Sequence, residues 1–267
     1  MEYLLVVVKD KHFAIDVENI IEILRPKDIT RIPDVADYIL GLMNIRGHIG
    51  TVLSLRKMFH YKEMGEELQE FIVNIKKGHA DWVKELEESV NQSKDFTKTL
   101  DPHACPLGRW LDKILTCLKC DDIFMDKIKR EINPHHKHLH EKGKLVLGVS
   151  LEDKDKAIGI IRTEIHSHYD VIINNLDTLN NDIDLWTNSI QRIVAFVTSK
   201  NETVNILVDD VIDIINVTEE EKQKLSQVEE GEIVQFDCAI ELQNGKIATI
   251  INDINISLFS SLPNNFL

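Results

Sequence analysis

Pro134-His135-His136-Lys137-His138-Leu139-His140 sets four histidines within six positions. Asn133 before it reads as a helix N-cap, and Pro134 takes the first-turn position that suits proline. On that reading His136 and His140, four residues apart, share one helical face, as two ligands of one metal must. Two imidazoles are half a coordination sphere, so the other donors must come from elsewhere in the chain. From about Phe71 to Ile183 the apolar spacing around this stretch is helical, while the residues on either side read as short strands. The organisation is β, then α, then β.

The chain has 267 residues, long enough for a sizeable core and for two domains. Hydrophobic residues make up 43% and charged residues 28%, the proportions of a globular protein. A net charge of −14 and a pI near 5.2 exclude the basic face that nucleic acid or an anionic membrane demands. No signal-like segment opens the chain, and no apolar run approaches the ~20 residues that span a bilayer. The expectation is a soluble, cytoplasmic protein. Its four cysteines, Cys105, Cys117, Cys120 and Cys238, then read as thiols rather than a disulfide framework. Cys117-Leu118-Lys119-Cys120 is a C-x-x-C without a second pair to complete a four-thiolate site.

The β segments are short and punctuated by glycine and proline, the pattern of small barrels. Tyr3–Val8 and His12–Asp16 flank a Lys9-Asp10-Lys11 turn, and His48–Arg56 alternates as a strand. Val17, Ile20, Ile21 and Leu24 have helical spacing over two turns. After Trp186 the strand style returns at Arg192–Val197 and Thr203–Val208, and a polar helical turn is expected over Thr218–Leu225. Asn244-Gly245 marks a hairpin between 236–243 and 246–252. The simplest organisation is one β domain, residues 1–66 plus 188–267, with a helical domain at 71–180 inserted in a surface loop.

This β pattern resembles the CheW domain, the adaptor module of bacterial chemotaxis. Gly41-Leu42-Met43-Asn44-Ile45-Arg46-Gly47 looks like that family's G-x-x-N-L-R-G, and Leu207-Val208-Asp209-Asp210-Val211 is similar to its l-V-D-x-V. Phe13-Ala14-Ile15, Ile21–Leu24 and Ile29–Pro33 extend the likeness. The resemblance implies two small five-stranded barrels that bind chemoreceptor tips and the histidine kinase CheA. Arg46, with Gly47 behind it, is the position carried over as partner-binding; unaided by the resemblance, a surface arginine after a tight turn is the plainer reading. Two family acids are missing, at Ser54 and Asn252.

In the helical part, His79 falls on the apolar stripe of Ile75, Trp82, Leu86 and Val90. Cys105 lies at the start of a helix carrying Trp110, Leu111, Ile114, Leu115 and Leu118. Free N–H groups and the helix dipole there favour thiolate, the form that binds zinc. Further helices are expected over about 121–132, from Pro134, and over about 153–176. Brought together from three helices, His79, Cys105, His136 and His140 would make a normal tetrahedral zinc sphere. Each taken alone reads as well as a core histidine or a small buried cysteine.

The same residues resemble the chemoreceptor zinc-binding (CZB) domain, whose motifs are H-x-x-W, C-x-L-G-x-W and H-x-x-x-H. Here they read His79-Ala80-Asp81-Trp82, Cys105-Pro106-Leu107-Gly108-Arg109-Trp110 and His136-Lys137-His138-Leu139-His140, in the family order. The resemblance implies a four-helix-type bundle holding Zn2+ through His79, Cys105, His136 and His140. His135 is the rival ligand if the register slips by one; His103 and His138 read as polar neighbours. CZB domains are associated with sensing zinc or oxidants, so Cys105 is also the expected redox-sensing residue, and such domains often sit in dimeric proteins. The whole is expected to be an α+β adaptor, not an enzyme. A purely structural zinc, a zinc hydrolase lacking a recognisable base, and thiol–disulfide chemistry at Cys117 and Cys120 are the alternatives.

Overall fold

The computed structural model describes residues 1–117, 123–198, 201–225 and 233–254, apart from the side chains of Cys117, Ile123 and Asp237. The Cys117/Cys120 thiol pair lies outside the described side chains. The fold is mixed α+β and divides into two compact units. One comprises 1–64 with 187–267, the other 65–186.

Among the described residues the first unit holds two sheets. Its strands are β1 (Glu2–Val8), β2 (Lys11–Asp16), β3 (Ile20–Leu24), β4 (Ile39–Ile45) and β5 (His48–Ser54) before the helical unit. After it come β6 (Arg192–Val197), β7 (Thr203–Val208), β8 (Asp210–Asn216), β9 (Gln223–Lys224), β10 (Val234–Glu241) and β11 (Ile247–Ile254). The six-stranded sheet runs β8-β1-β2-β11-β10-β9 and the five-stranded sheet β3-β6-β7-β5-β4. Strands from the two ends of the chain therefore interleave: β6 pairs with β3, β7 with β5, and β8 with β1. Neither segment can complete a sheet alone.

Three apolar clusters follow from the two-residue alternation of these strands. Tyr3, Leu5, Ala14, Ile240, Ala248 and Ile250 all face inward on the six-stranded sheet, which curls over its own core. Met43, Val52, Ile193 and Leu207 do the same in the five-stranded sheet. The opposite faces, with Leu4, Val6, Val8, Leu53, Val194 and Phe196, share a larger core between the sheets. Each sheet thus has its own small core, and the first has six strands where five were expected.

Two local expectations fail here. Val17–Leu24 is a single 3-10 turn, Val17–Asn19, followed by strand β3. Four β-branched isoleucines and valines suit a sheet edge better than two isolated helical turns, which are too short to stand alone. The Thr218–Leu225 turn is a 3-10 piece, Glu219–Glu221, leading into β9.

The β4–β5 hairpin explains the Asn-x-Arg-Gly spacing. Ile45 pairs with His48, leaving Arg46 and Gly47 as a two-residue turn with φ of +51° and +91°. Positive φ at both central positions matches the right-handed twist of a hairpin. Asn44 Oδ1 accepts the Gly47 N–H at 2.8 Å and holds the turn. Arg46 is carried at its tip.

Ser54, where the CheW family has an acid, caps the short helix α1 (Leu55–Met58), accepting the Lys57 N–H. Its hydroxyl also donates to Glu63 Oε1 at 2.5 Å. Two residues on, Arg56 is 5% exposed and makes two 2.6 Å hydrogen bonds to Asp209, while its other nitrogen donates to the Lys62 carbonyl at 2.9 Å. Asp209 also accepts the Lys9 N–H at 2.6 Å. The chain leaves the β unit directly after this buried polar knot.

Among the described residues the second unit is built from four helical rods. They are α2 (Met64–Gln92), α3 (Pro106–Cys117), a rod running α4 (Ile123–Lys127), a π-turn (Ile128–Ile132) and α5 (Asn133–Ser150), and another running α6 (Lys154–Ile160), a π-turn (Ile161–Ile165) and α7 (His166–Asn181). Helix α8 (Ile183–Ile190) leads back to the sheets. Ile75, Trp82, Leu86 and Val90 of α2 are buried as their spacing predicts, together with Met125, Ile128, Ile132, Leu139, Ile165, Ile172 and Leu176. No helix among the described residues is long and apolar enough to cross a membrane.

Asn133 is not an N-cap. Its backbone is helical at φ −61°, and its N–H bonds to Ile128 five residues back, so α4 and α5 are one rod. Proline lacks the N–H for the carbonyl four residues earlier and its ring crowds that carbonyl. The wider π-turn just upstream lets Pro134 pass without breaking the helix.

Candidate metal centre

His79 of α2, Cys105 just before α3, and His136 and His140 of α5 are all buried, and one donor atom from each lies within 4.8 Å of the others. That is close to the span one ion bridges at bond lengths of about 2.0–2.3 Å. His136 and His140 meet one turn apart with ring centroids at 4.8 Å, and His79 stands across from them at 5.3 and 6.1 Å. Cys105 Sγ is 3.0 Å from His136 Nε2.

Two of the donors are oriented from behind by hydrogen bonds. His79 Nδ1–H donates to the Ile75 carbonyl at 2.9 Å, one helical turn back, which leaves Nε2 free to ligate. Cys105 Sγ accepts the Gly108 N–H at 3.3 Å. A Cβ on Gly108 would lie 1.6 Å from the Pro102 carbonyl oxygen, so the motif glycine is required for α3 to start against the Asp101–Ala104 turn. The motif tryptophan Trp82 donates its indole N–H to the Thr99 carbonyl at 2.9 Å and packs on His140, with centroids 5.1 Å apart.

The charge state follows from burial. Desolvation, then the neighbouring His140 and His79, push the His136 pKa down to about 2. Desolvation and His79 push His140 down to about 4, against the weaker pull of the Thr99 carbonyl and Asp101. His79 is lowered by burial too. All three are neutral imidazoles at pH 7, the form that binds metal. Cys105 differs from the expectation of a thiolate-favouring helix start. Burial raises its pKa and outweighs the Gly108 and Leu107 N–H groups and Arg109, which pull it down. The thiol therefore keeps its proton until something replaces it.

One group here wants a partner. His140 is 0% exposed, and neither of its ring nitrogens has a described partner at full hydrogen-bonding geometry, the Thr99 carbonyl pulling on it only weakly. A buried imidazole without well-formed hydrogen bonds costs about 1–3 kcal/mol, and a borderline transition metal shared with a thiol and two more imidazoles would satisfy it. The donor set fits zinc.

The other histidines stand apart. His135, the rival ligand, faces away and meets His168, Nδ1 to Nδ1 at 2.9 Å. His103 bonds to Asp112 at 2.8 Å and His138 to Glu141 at 3.1 Å, both exposed. One residue that sequence reasoning passed over is Gly143, where a Cβ would lie 2.3 Å from the Trp82 indole. A glycine inside a helix costs about 0.5–1 kcal/mol against alanine, a signal that something packs on it. At the β4–β5 tip, Arg46 has a 79% exposed side chain and pairs with Glu22, Nε to Oε2 at 2.8 Å, as a charge contact.

Paired small sheets, split in sequence by a helical bundle with a buried three-imidazole, one-thiol cluster, define a two-part protein with a transition-metal-type centre. Residues 2–85 match the CheW-like domain and residues 79–147 the chemoreceptor zinc-binding domain, and the latter span includes all four donors. The chain thus carries a CheW-like domain followed by a CZB domain. The chemotaxis protein CheW of Helicobacter pylori (strain ATCC 700392 / 26695) is 36% identical over 62 residues, which are 23% of this chain and 38% of that protein. The match therefore spans less than two fifths of that relative's length. Among solved structures, the scaffolding protein TtCheW from Thermoanaerobacter tengcongensis aligns over 94% of this chain and 87% of its own at 12% identity and a TM-score of 0.42.

Proposed function

We propose that the chain is a cytoplasmic chemotaxis adaptor that couples chemoreceptor tips to the histidine kinase CheA, with its own sensor in the helical unit. On this reading the discontinuous β unit is the CheW-like adaptor and the helices at 65–186 are an inserted CZB domain. The observation that carries the sensor is the buried cluster of His79, Cys105, His136 and under-bonded His140. These four residues would hold Zn2+. When bound, the ion supplies charge stabilisation for the thiolate and a cross-link between the helices.

Four protein donors fill a tetrahedral sphere, and a catalytic zinc keeps a position open for water. The reading is therefore of an adaptor and sensor without turnover. Cys105 supplies the response. Hypochlorous acid transfers its oxygen to the thiolate, giving a sulfenic acid and chloride, and the sulfur ceases to be a good ligand. Metal binding and helix packing share free energy, so losing one donor loosens the bundle. The chain re-enters the sheets at two covalent points, Met64–Gly65 and Trp186–Thr187, and these carry the change to the adaptor. The Arg46 tip, held by Asn44 and Gly47, is the docking position, supported by its likeness to the CheW motif and by its left-handed backbone.

The test is zinc content by elemental analysis on the wild type, Cys105→Ala and His140→Ala, before and after mild hypochlorous acid, with CheA pull-down alongside. One zinc per chain that leaves on oxidation, with a change in CheA capture, is expected. Zinc that stays bound through oxidation would reduce the metal to a structural staple.

A further inference from the structure

A second group of imidazoles lies beside the buried cluster and takes no part in it. On α5, at 100° per residue, His135 and His138 point roughly 150° around the helix from the His136/His140 face. His168 of α7 meets them there. Its Nδ1 is 2.9 Å from His135 Nδ1, with ring centroids at 5.0 Å, and its ring lies 5.4 Å from that of His138.

Two ring nitrogens at 2.9 Å share one proton, because two lone pairs or two N–H groups would repel. The lone pair of one imidazole therefore already points at the donor position of the other. A metal ion in place of that proton gains both lone pairs, provided the rings part by a few tenths of an ångström. His135 and His168 are half-buried and come from different helices, so packing holds their separation. His138, with a 54% exposed side chain held by a single 3.1 Å contact to Glu141, is within a side-chain rotation of the pair. Glu164, four residues before His168, is tied to Lys142, which leaves the imidazoles as the donors.

We propose that His135, His168 and His138 form a second site for a borderline divalent transition-metal ion such as zinc, cobalt or nickel, distinct from the four-donor cluster. Imidazole selects these metals over magnesium and calcium. The site has no thiolate and opens to water, so it binds more weakly and exchanges faster than the buried one. It sits on the more exposed side of the same helical turn that carries buried His136.

Titration of the metal-free full chain with Co2+ tests it, with Cys117, Cys120 and Cys238 changed to serine in a background that serves as the wild type, so that thiolate-to-cobalt charge transfer reports on Cys105 alone. The wild type should take up two equivalents, the second adding ligand-field bands without further charge transfer. His168→Ala should take up one, with the charge-transfer band intact, and Cys105→Ala should lose that band yet keep the His168-dependent equivalent. Saturation of the wild type at one equivalent, or a second equivalent that survives His168→Ala, overturns the proposal. If His168→Ala disturbs both equivalents, the exposed His138→Ala decides: a tenfold or greater weakening of the second equivalent alone supports the site, and no change overturns it. A wild type without the charge-transfer band but with the His168-dependent equivalent would sink the buried centre and leave this one standing.

Discussion

Arg56 and Asp209 are 153 residues apart in the chain and meet as a buried, two-pronged ion pair, with both hydrogen bonds at 2.6 Å. The segments that carry them precede and follow the helical unit in the sequence, so the pair pins the two segments of the β unit to each other.

Removing one partner leaves the other as an uncompensated buried charge. Asp209→Ala is expected to destabilise the β unit by about 3–5 kcal/mol in urea unfolding, whereas replacing both, Arg56→Met with Asp209→Leu, recovers much of that loss. Equal instability of the single and double variants would refute the charge argument.

Zinc should stabilise the helical unit and depend on all four donors. Loading the metal-free protein is expected to raise its thermal midpoint, since an ion that binds only the folded state adds its binding free energy to stability. Cys105→Ser and His79→Ala should each lose most of that rise. Calorimetry with and without a chelator reads it directly.

Two glycines separate packing from propensity. Gly108→Ala forces a Cβ to 1.6 Å from the Pro102 carbonyl and should cost about 3 kcal/mol or more together with metal retention. At Gly148, in the same bundle, a Cβ meets nothing within 4 Å, so Gly148→Ala should stabilise by about 0.5–1 kcal/mol. A melting series on the two variants distinguishes them.

Acid should unfold the metal-free bundle earlier than the β unit. His136 and His140 titrate at about 2 and about 4 when folded and near 6.5 when unfolded, so the unfolded chain binds more protons between. Their contribution is complete above about pH 6.5 and is lost as pH falls toward their folded values. Helical signal followed from pH 7 to pH 4 at fixed temperature should drop; a flat profile would mean that the imidazoles are not held neutral by burial.

Arg46 adopts φ +51°, a conformation that costs a non-glycine residue about 1–2 kcal/mol. Arg46→Gly should therefore leave the β unit as stable or more so while weakening capture of CheA or receptor tips. Unchanged capture would make the arginine an ordinary turn residue.

Much of this was legible before any coordinates, for reasons that differ by residue. Histidine, cysteine and tryptophan at fixed spacing are chemically specific, so His79, Cys105, His136 and His140 could be singled out, and the structure brings them together. The Asn244-Gly245 hairpin was legible because glycine there reaches φ +76° at little cost. Val17–Leu24 was misread because an apolar spacing over two turns fits helix and strand alike, and partner strand β6 decides it. The role of Asn133 was misread because a cap and a π-turn both put a polar residue before proline. The Cys105 thiol was misread because local helix geometry says nothing of burial, which only the fold supplies. Nothing in the sequence announced the His135–His168 pair, which depends on how α5 and α7 register.

Each π-turn holds one residue more than an α-turn, so in hereditary terms it is a one-residue insertion absorbed without a break. Shortening Ile128–Ile132 by one would return this turn to α geometry and leave Met125, now fully buried, facing the core. The spacing between His136 and His140 would survive untouched. A lineage can thus gain or lose length at this joint while the pair of imidazoles is inherited as a unit, and the second joint at Ile161–Ile165 gives His168 the same protection.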